Sequence, residues 1–186
     1  MRITKEPEER KQEILDTAMR IFYEKGYEKT SITDIARAIG VAQGLCYRYF
    51  PSKEVLFDRA VEQYAEKLVS RFSILPKAEG RTLKELIETM PLTAETEGDG
   101  YYQTFHTAEN KKFHDQLTLK VCQKLSGIVS ELLEQAKARG EIQVEDVQTA
   151  ASFCVYGQIG ILMEEGMAPE EKERRIRGFL LYALRL

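Results

Sequence analysis

Tryptophan is absent from the 186 residues, and cysteine (three) and proline (five) are scarce. Cys46, Cys122 and Cys154 are far apart, odd in number and without a C-x-x-C spacing, so neither a disulfide scaffold nor a zinc or redox pair is indicated. The two histidines, His106 and His114, are eight residues apart. On a helix that leaves them roughly 80° apart in azimuth, a poor metal pair. Long apolar runs are missing too: the most apolar stretch, 150–163, is interrupted by Gln158 and is shorter than the roughly 20 residues a spanning helix needs. The charged N-terminus does not read as a signal peptide. There is no alternating strand pattern, internal repeat or low-complexity tract. No nucleophile–base pair, phosphate-cradling glycine loop or carboxylate dyad is spaced for chemistry. These absences predict a cytoplasmic, non-enzymatic protein with no cofactor, no metal and no membrane partner.

Charge is not in excess of one sign either. The 27 Lys and Arg against 30 Asp and Glu give a net charge of −3. Taken globally that argues against non-specific binding to nucleic acid. The distribution says something else. Residues 1–53 carry +2 and the remainder −5, and within 29–53 Lys29, Arg37, Arg48 and Lys53 face Asp34 alone. A small positive island on an acidic body is the electrostatic pattern of a protein that meets DNA at one place.

What is present is helical periodicity. Ile14, Ala18, Ile21 and Phe22 follow i, i+4, i+7, i+8 spacing up to Gly26. Phe57, Ala60, Val61, Tyr64 and Leu68 repeat it after Ser52, a candidate N-cap. A short helix through Leu83, Leu86, Ile87 and Met90 ends at Pro91, and a long one runs through Thr118–Ala136 to Gly140. Two more are expected over roughly 145–165 and 169–186. The stretch 93–100 (TAETEGDG) lacks period and bulk and reads as a loop. The expected fold class is all-α.

Between them lies 30–53, TSITDIARAIGVAQGLCYRYFPSK. Ile32, Ile35, Ala36 and Ile39 form one apolar face, and Ser31 with Asp34 forms a capping-box pattern. Gly40 ends this helix and a second short one begins near Ala42. Two short helices joined by a glycine-bearing turn are a helix-turn-helix, with Val41 and Cys46 filling the space between them. The combined spacing of Ile35-Ala36, Gly40-Val41, Gly44, Tyr47, Tyr49-Phe50 and Ser52-Lys53, following KQEILDTAMRIFYEKGY from Lys11, resembles the TetR family of bacterial transcriptional regulators. The resemblance covers roughly the first third of the chain. Ala42 and Leu45 depart from it, since the family often has Ser or Thr at the first and Thr at the second.

The residues themselves indicate how such a head would touch DNA. Gly44 lets the second helix approach the groove; Gln43 can pair with adenine, and Arg48 with guanine or a phosphate. Leu45 can meet a thymine methyl. Thr33, Tyr47 and Tyr49 offer hydroxyls to phosphate oxygens. Lys53 lies in the first turn of the next helix, where backbone N–H groups also favour a phosphate. Tyr47 and Tyr49 can equally pack inward with wet tips, and Arg2, Lys5 and Arg10 form a weak arm diluted by Glu6, Glu8 and Glu9.

The expected organisation is a three-helix DNA-binding domain over 1–53 and a larger helical domain over 54–186. The resemblance implies that the larger part binds a small-molecule effector and forms a homodimer on a palindromic double-stranded operator. For the dimer face the sequence offers Phe153, Gly157, Ile161, Phe179, Leu180 and Ala183. For the effector pocket the aromatic and polar-tipped candidates are Tyr64, Tyr101, Tyr102, Phe105, His106 and Phe113, each of which can instead be core. The predicted function is a repressor released by a small apolar or aromatic effector. An effector-independent DNA-binding regulator and a helical protein-interaction module are the alternatives.

Overall fold

In a computed structural model, residues 5–70, 72–75, 80–90, 111–164 and 166–186 are described. Among them the regular elements are all α-helical: α1 (Pro7–Lys25), α2 (Ile32–Ile39), α3 (Gln43–Tyr49), α4 (Lys53–Ser70), α5 (Leu83–Thr89), α6 (Lys111–Ala138), α7 (Val147–Tyr156), α8 (Ile159–Leu162) and α9 (Pro169–Leu184). The described chain divides into two units. One takes the residues up to Ala65 with Lys111–Lys120; the other takes the described parts of Glu66–Thr96 and Val121–Leu186.

The first unit begins with Pro7 in the first turn of α1, followed by Glu8 and Glu9, all suited to a helix N-terminus. Ile14, Leu15, Ala18, Met19, Ile21 and Phe22 are its buried side, and Gly26, at φ 79°, lets the chain turn out of the helix. The buried Thr30 fixes that exit by donating its hydroxyl to the Gly26 carbonyl at 2.8 Å. The capping box at α2 is complete. Asp34 N–H donates to Ser31 Oγ at 3.2 Å, and Ser31 N–H donates to the Asp34 carboxylate at 3.0 Å. Donation from the Ser31 hydroxyl at 2.5 Å, and then from its N–H, holds the Asp34 carboxyl below its ordinary range.

Gly40 closes α2 in the left-handed conformation at φ 78°. Its N–H donates to Arg37 O (3.2 Å) and that of Val41 to Ala36 O (3.0 Å), the paired bonds that terminate a helix around a glycine. α3 starts at Ala42 without a side-chain cap. Cys46, fully buried, holds its inner side, and α4 follows on Ser52, whose Oγ accepts from Val55 N–H at 3.2 Å.

The second unit has its own core: Leu83, Leu86 and Ile87 of α5, Leu132, Leu133 and Ala136 of α6, Val147 and Ala151 of α7, and Ile176, Leu180 and Leu184 of α9. Each such leucine or isoleucine, fully buried, contributes about 1.5–3 kcal/mol. Charged side chains satisfy both ends of α5. Glu141 accepts from the Leu83 N–H at 2.6 Å; Arg177 donates from Nε to Ile87 O at 2.8 Å and from Nη2 to Met90 O at 3.2 Å. A carboxylate at the N-terminus and a guanidinium at the C-terminus complement the helix dipole. Burial alone would raise the Glu141 carboxyl, but Arg139 and the Leu83 N–H outweigh it and leave it lowered.

Two expectations change here. The single helix expected over roughly 145–165 is interrupted: α7 stops at Tyr156 and only four residues of α8 follow. A Cβ at Gly157 would lie 2.6 Å from the Phe153 carbonyl oxygen, so the chain's own turn already requires glycine there. The apolar residues of the last helix, among them Phe179, Leu180 and Ala183 expected at the dimer face, divide between two sides. Ile176, Leu180 and Leu184 face the core, whereas Phe179 and Ala183 face outward. Leu180 is therefore not a surface residue; the i, i+4, i+8 row turns it inward.

Candidate nucleic-acid interface

In the first unit α2 packs against both α1 and α3. Ile32, Ile35, Ala36, Cys46 and Phe50 are buried, which fixes the direction of everything else on α3. Gln43, Gly44, Tyr47 and Arg48 are exposed, with Leu45 and Tyr49 half-buried. Thr33, in the first turn of α2, is exposed as well. These expected DNA contacts thus all remain accessible in one helix pair. Tyr47 stands 45% exposed, so its ring is presented rather than packed away.

Gly44 carries the most information. It has no positive φ, and a Cβ built on it meets no atom within 4 Å. Glycine inside a helix costs about 1 kcal/mol relative to alanine, and nothing within the chain requires it. A short helix that keeps an uncrowded glycine on its exposed side is shaped for a close approach from outside, which a groove of double-stranded DNA would make.

The cations differ in what engages them. Arg37 pairs with Asp34 at 3.5 Å, and Lys5 and Arg10 both pair with Glu13, with Lys5 at 2.6 Å. Lys5 and Arg10 of the expected basic arm thus share one carboxylate, Arg2 lies outside the described residues, and the hydrogen bond from Lys5 is the main reason the Glu13 carboxyl is lowered. Arg48 has no ion-pair partner among the described residues. Lys53 lies half-buried at the start of α4 with its ammonium 4.0 Å from the centre of the Tyr27 ring.

The remaining expected sites are scattered. Tyr64 is buried. Phe113 is buried in an aromatic cluster of the first unit, its ring edge-on to Phe57 at 6.0 Å. Tyr101, Tyr102, Phe105 and His106, with the loop expected over 93–100, lie outside the described residues. In the second unit Phe153, Phe179 and Ala183 are exposed and line an open groove of about 940 Å³ that also includes Cys154, Ala150 and Leu184. Ile161 is half-buried. Sequence reasoning missed Tyr182, 81% exposed beside Phe179, and Gly178, whose Cβ would again meet nothing within 4 Å. Gly178 interrupts an otherwise favourable helix without a packing reason, and that was the available signal.

The N-terminal helices define a helix-turn-helix DNA-binding protein. Residues 14–60 match the domain described as bacterial regulatory proteins, tetR family. The chain is 28% identical over 181 residues to an uncharacterized HTH-type transcriptional regulator, YfiR of Bacillus subtilis, covering 92% of this chain and 87% of that one. Over 85 residues it is 33% identical to the nucleoid occlusion factor SlmA of Mannheimia succiniciproducens, 45% of this chain and 39% of the relative. The solved structure of Salmonella enterica GusR superposes with a TM-score of 0.69 at 25% identity over 98% of each chain. Residues 14–60 are thus a TetR-family DNA-binding domain, in a chain similar to HTH-type transcriptional regulators over nearly its whole length. Among the described residues no helix is long and apolar enough to cross a membrane.

Proposed function

We propose that the protein is a homodimeric repressor that occupies a palindromic operator and leaves it when a small apolar or aromatic effector binds. The observation that carries the DNA half is the exposed side of α3, where Gln43, Tyr47 and Arg48 flank the uncrowded Gly44. In this reading Gln43 and Arg48 read base edges, and Leu45 meets a thymine methyl. Thr33, Tyr47, Tyr49 and Lys53 hold phosphates. A seven-residue reading helix covers only a few base pairs, so useful affinity calls for two heads about one DNA turn, near 34 Å, apart.

Support for the second copy comes from the other unit. Phe153 is 73% exposed and Phe179 61%, with Tyr182 and Gly178 beside the latter on α9. Two exposed phenylalanines lining one groove, with an exposed tyrosine on the same helix as one of them, suit a two-fold interface. The effector half rests on the family and on α4, which carries Lys53 at its start and Tyr64 three turns later. Movement of that helix would change the spacing of the heads, and a coupling of about 1–3 kcal/mol is typical of such devices.

A second reading is a DNA-binding regulator that needs no effector. The similarity to a protein named nucleoid occlusion factor favours it. The test is fluorescence anisotropy of the protein against fragments of its own upstream DNA, at two salt concentrations, with and without a panel of aromatic and acyl compounds. Salt-steep binding of one dimer per palindrome, weakened by a compound, is expected. Site-specific binding indifferent to every compound selects the effector-independent reading, and no site preference overturns both.

A further inference from the structure

Tyr27 lies just beyond α1, buried, with its ring in an aromatic cluster: 5.8 Å from Phe22 and 4.6 Å from Phe57, centre to centre. Two ammonium groups share that ring. Lys53 Nζ lies 4.0 Å from its centre and Lys112 Nζ 3.7 Å. Two points at those distances from one centre are no more than 7.7 Å apart, the sum of the two. The face of an aromatic ring attracts a cation, but two cations this close also repel each other. The Tyr27 hydroxyl donates to Glu54 at 3.1 Å, placing one carboxylate beside the pair. That donation is among the bonds that hold the Glu54 carboxyl low, after the one from its own backbone N–H, and Lys112 contributes to the same effect.

The two lysines come from distant parts of the sequence. Lys53 opens α4 directly after the reading helix, whereas Lys112 is on α6. Phe113, the next residue, is buried against Phe57 and anchors that turn of α6 to the cluster. Lys112 therefore reports the position of α6 at the ring that also holds Lys53.

We propose that Lys112 is a positioning residue for DNA binding: seated on Tyr27, it repels the Lys53 ammonium that shares the ring and so eases the transfer of that ammonium to a phosphate. This rests on the reading of Lys53 as a phosphate contact. The direction follows from competition. A lone ammonium on the ring gives up a favourable contact when it turns to DNA. With a second cation on the same ring, leaving also relieves repulsion, so the transfer is easier. A shift of α6 that withdraws Lys112 leaves Lys53 alone on Tyr27, where it is held more firmly, and DNA affinity drops.

Phosphate contacts do not depend on sequence, so a short random-sequence duplex at low salt is a sufficient probe. The full-length protein and its Lys112→Met, Lys112→Arg, Lys53→Met and double Lys53→Met/Lys112→Met variants are titrated across a salt series. Lys112 is exposed, so its replacement leaves the fold intact. Lys112→Met is expected to weaken binding about three- to tenfold, and Lys112→Arg, which keeps the cation, to stay within about twofold. Lys53→Met lowers the salt slope by about one unit per head. In the Lys53→Met background, Lys112→Met has no further effect. Equal loss in both backgrounds, with a slope unit of its own, makes Lys112 a direct phosphate contact and overturns the proposal, as does an unaltered affinity in the parent background. An unchanged affinity and slope in Lys53→Met removes the reading of Lys53 beneath the proposal, and the proposal with it.

Discussion

The two units treat their exposed surface in opposite ways. In the first, α3 presents Gln43, Tyr47 and Arg48, polar groups that water satisfies. In the second, Phe153, Phe179, Tyr182 and Met163 are left in solvent, and the two phenylalanines line an open groove. Both surfaces carry a glycine inside a helix with nothing near its missing Cβ, Gly44 on α3 and Gly178 on α9. One glycine lies among polar groups and the other beside aromatics. An uncrowded helical glycine alone marks no surface, since Gly127 of α6 and Gly160 of α8 are equally uncrowded; what separates the two surfaces is the company the glycine keeps. Polar neighbours fit DNA; aromatic ones fit another copy of the same apolar surface.

The largest effect should come from breaking the apolar side. Phe179→Asp, at an exposed position, should leave helix content intact but convert the dimer to monomer in sedimentation velocity. With two-headed binding lost, operator affinity should fall by about 100-fold or more. A monomeric variant with unchanged affinity would detach the second unit from DNA binding altogether. Gly44→Leu inverts the test on the polar side. It should raise the thermal midpoint slightly, since leucine favours a helix by about 0.5–1 kcal/mol over glycine. Operator binding should weaken at the same time by at least about tenfold, because the side chain occupies the space the groove needs. Arg48→Ala should then cost about 1–3 kcal/mol on the operator while leaving affinity for random DNA much closer to the parent.

How much of this was visible in the sequence follows the same division. The head was legible almost residue by residue. Its Ser31–Asp34 box, the Gly40 turn, the uncapped Ala42 and the buried Cys46 are short-range features, decided within a few residues of one another. The second unit was legible as helices but not as faces. An apolar stripe does not say which of its edges faces the core, and Leu180 went inward while Phe179 stayed out. Gly157 looked like a site of backbone contact and proved to be a helix terminus, because only the folded chain places its missing Cβ against Phe153. The Tyr27 cluster was invisible, since it joins residues 27, 53 and 112, and no local pattern links positions so distant. The exposed Tyr182 was passed over because it lies one residue before a stripe position.

The smallest effect is expected in acid, where the units again separate. Glu141 holds the start of α5, and its folded carboxyl is lowered, so its contribution is present above the ordinary carboxylate pKa and is lost as pH falls through the lowered value. Glu141→Gln should flatten part of the decline in thermal midpoint below about pH 4. It should not alter DNA binding at neutral pH, because α5 belongs to the unit that carries no DNA contact in this account. Loss of binding at pH 7 would mean that the two units are less independent than their surfaces imply.

The central claim is that a single exposed glycine-bearing helix, presented twice by an apolar dimer, reads DNA. Hydroxyl-radical footprinting on the bound upstream fragment tests it most directly. The account predicts two short protected patches on one side of the duplex, about one helical turn or 34 Å apart, both disappearing with Gly44→Leu. A continuous footprint without phase, or two patches that survive Gly44→Leu, would contradict it.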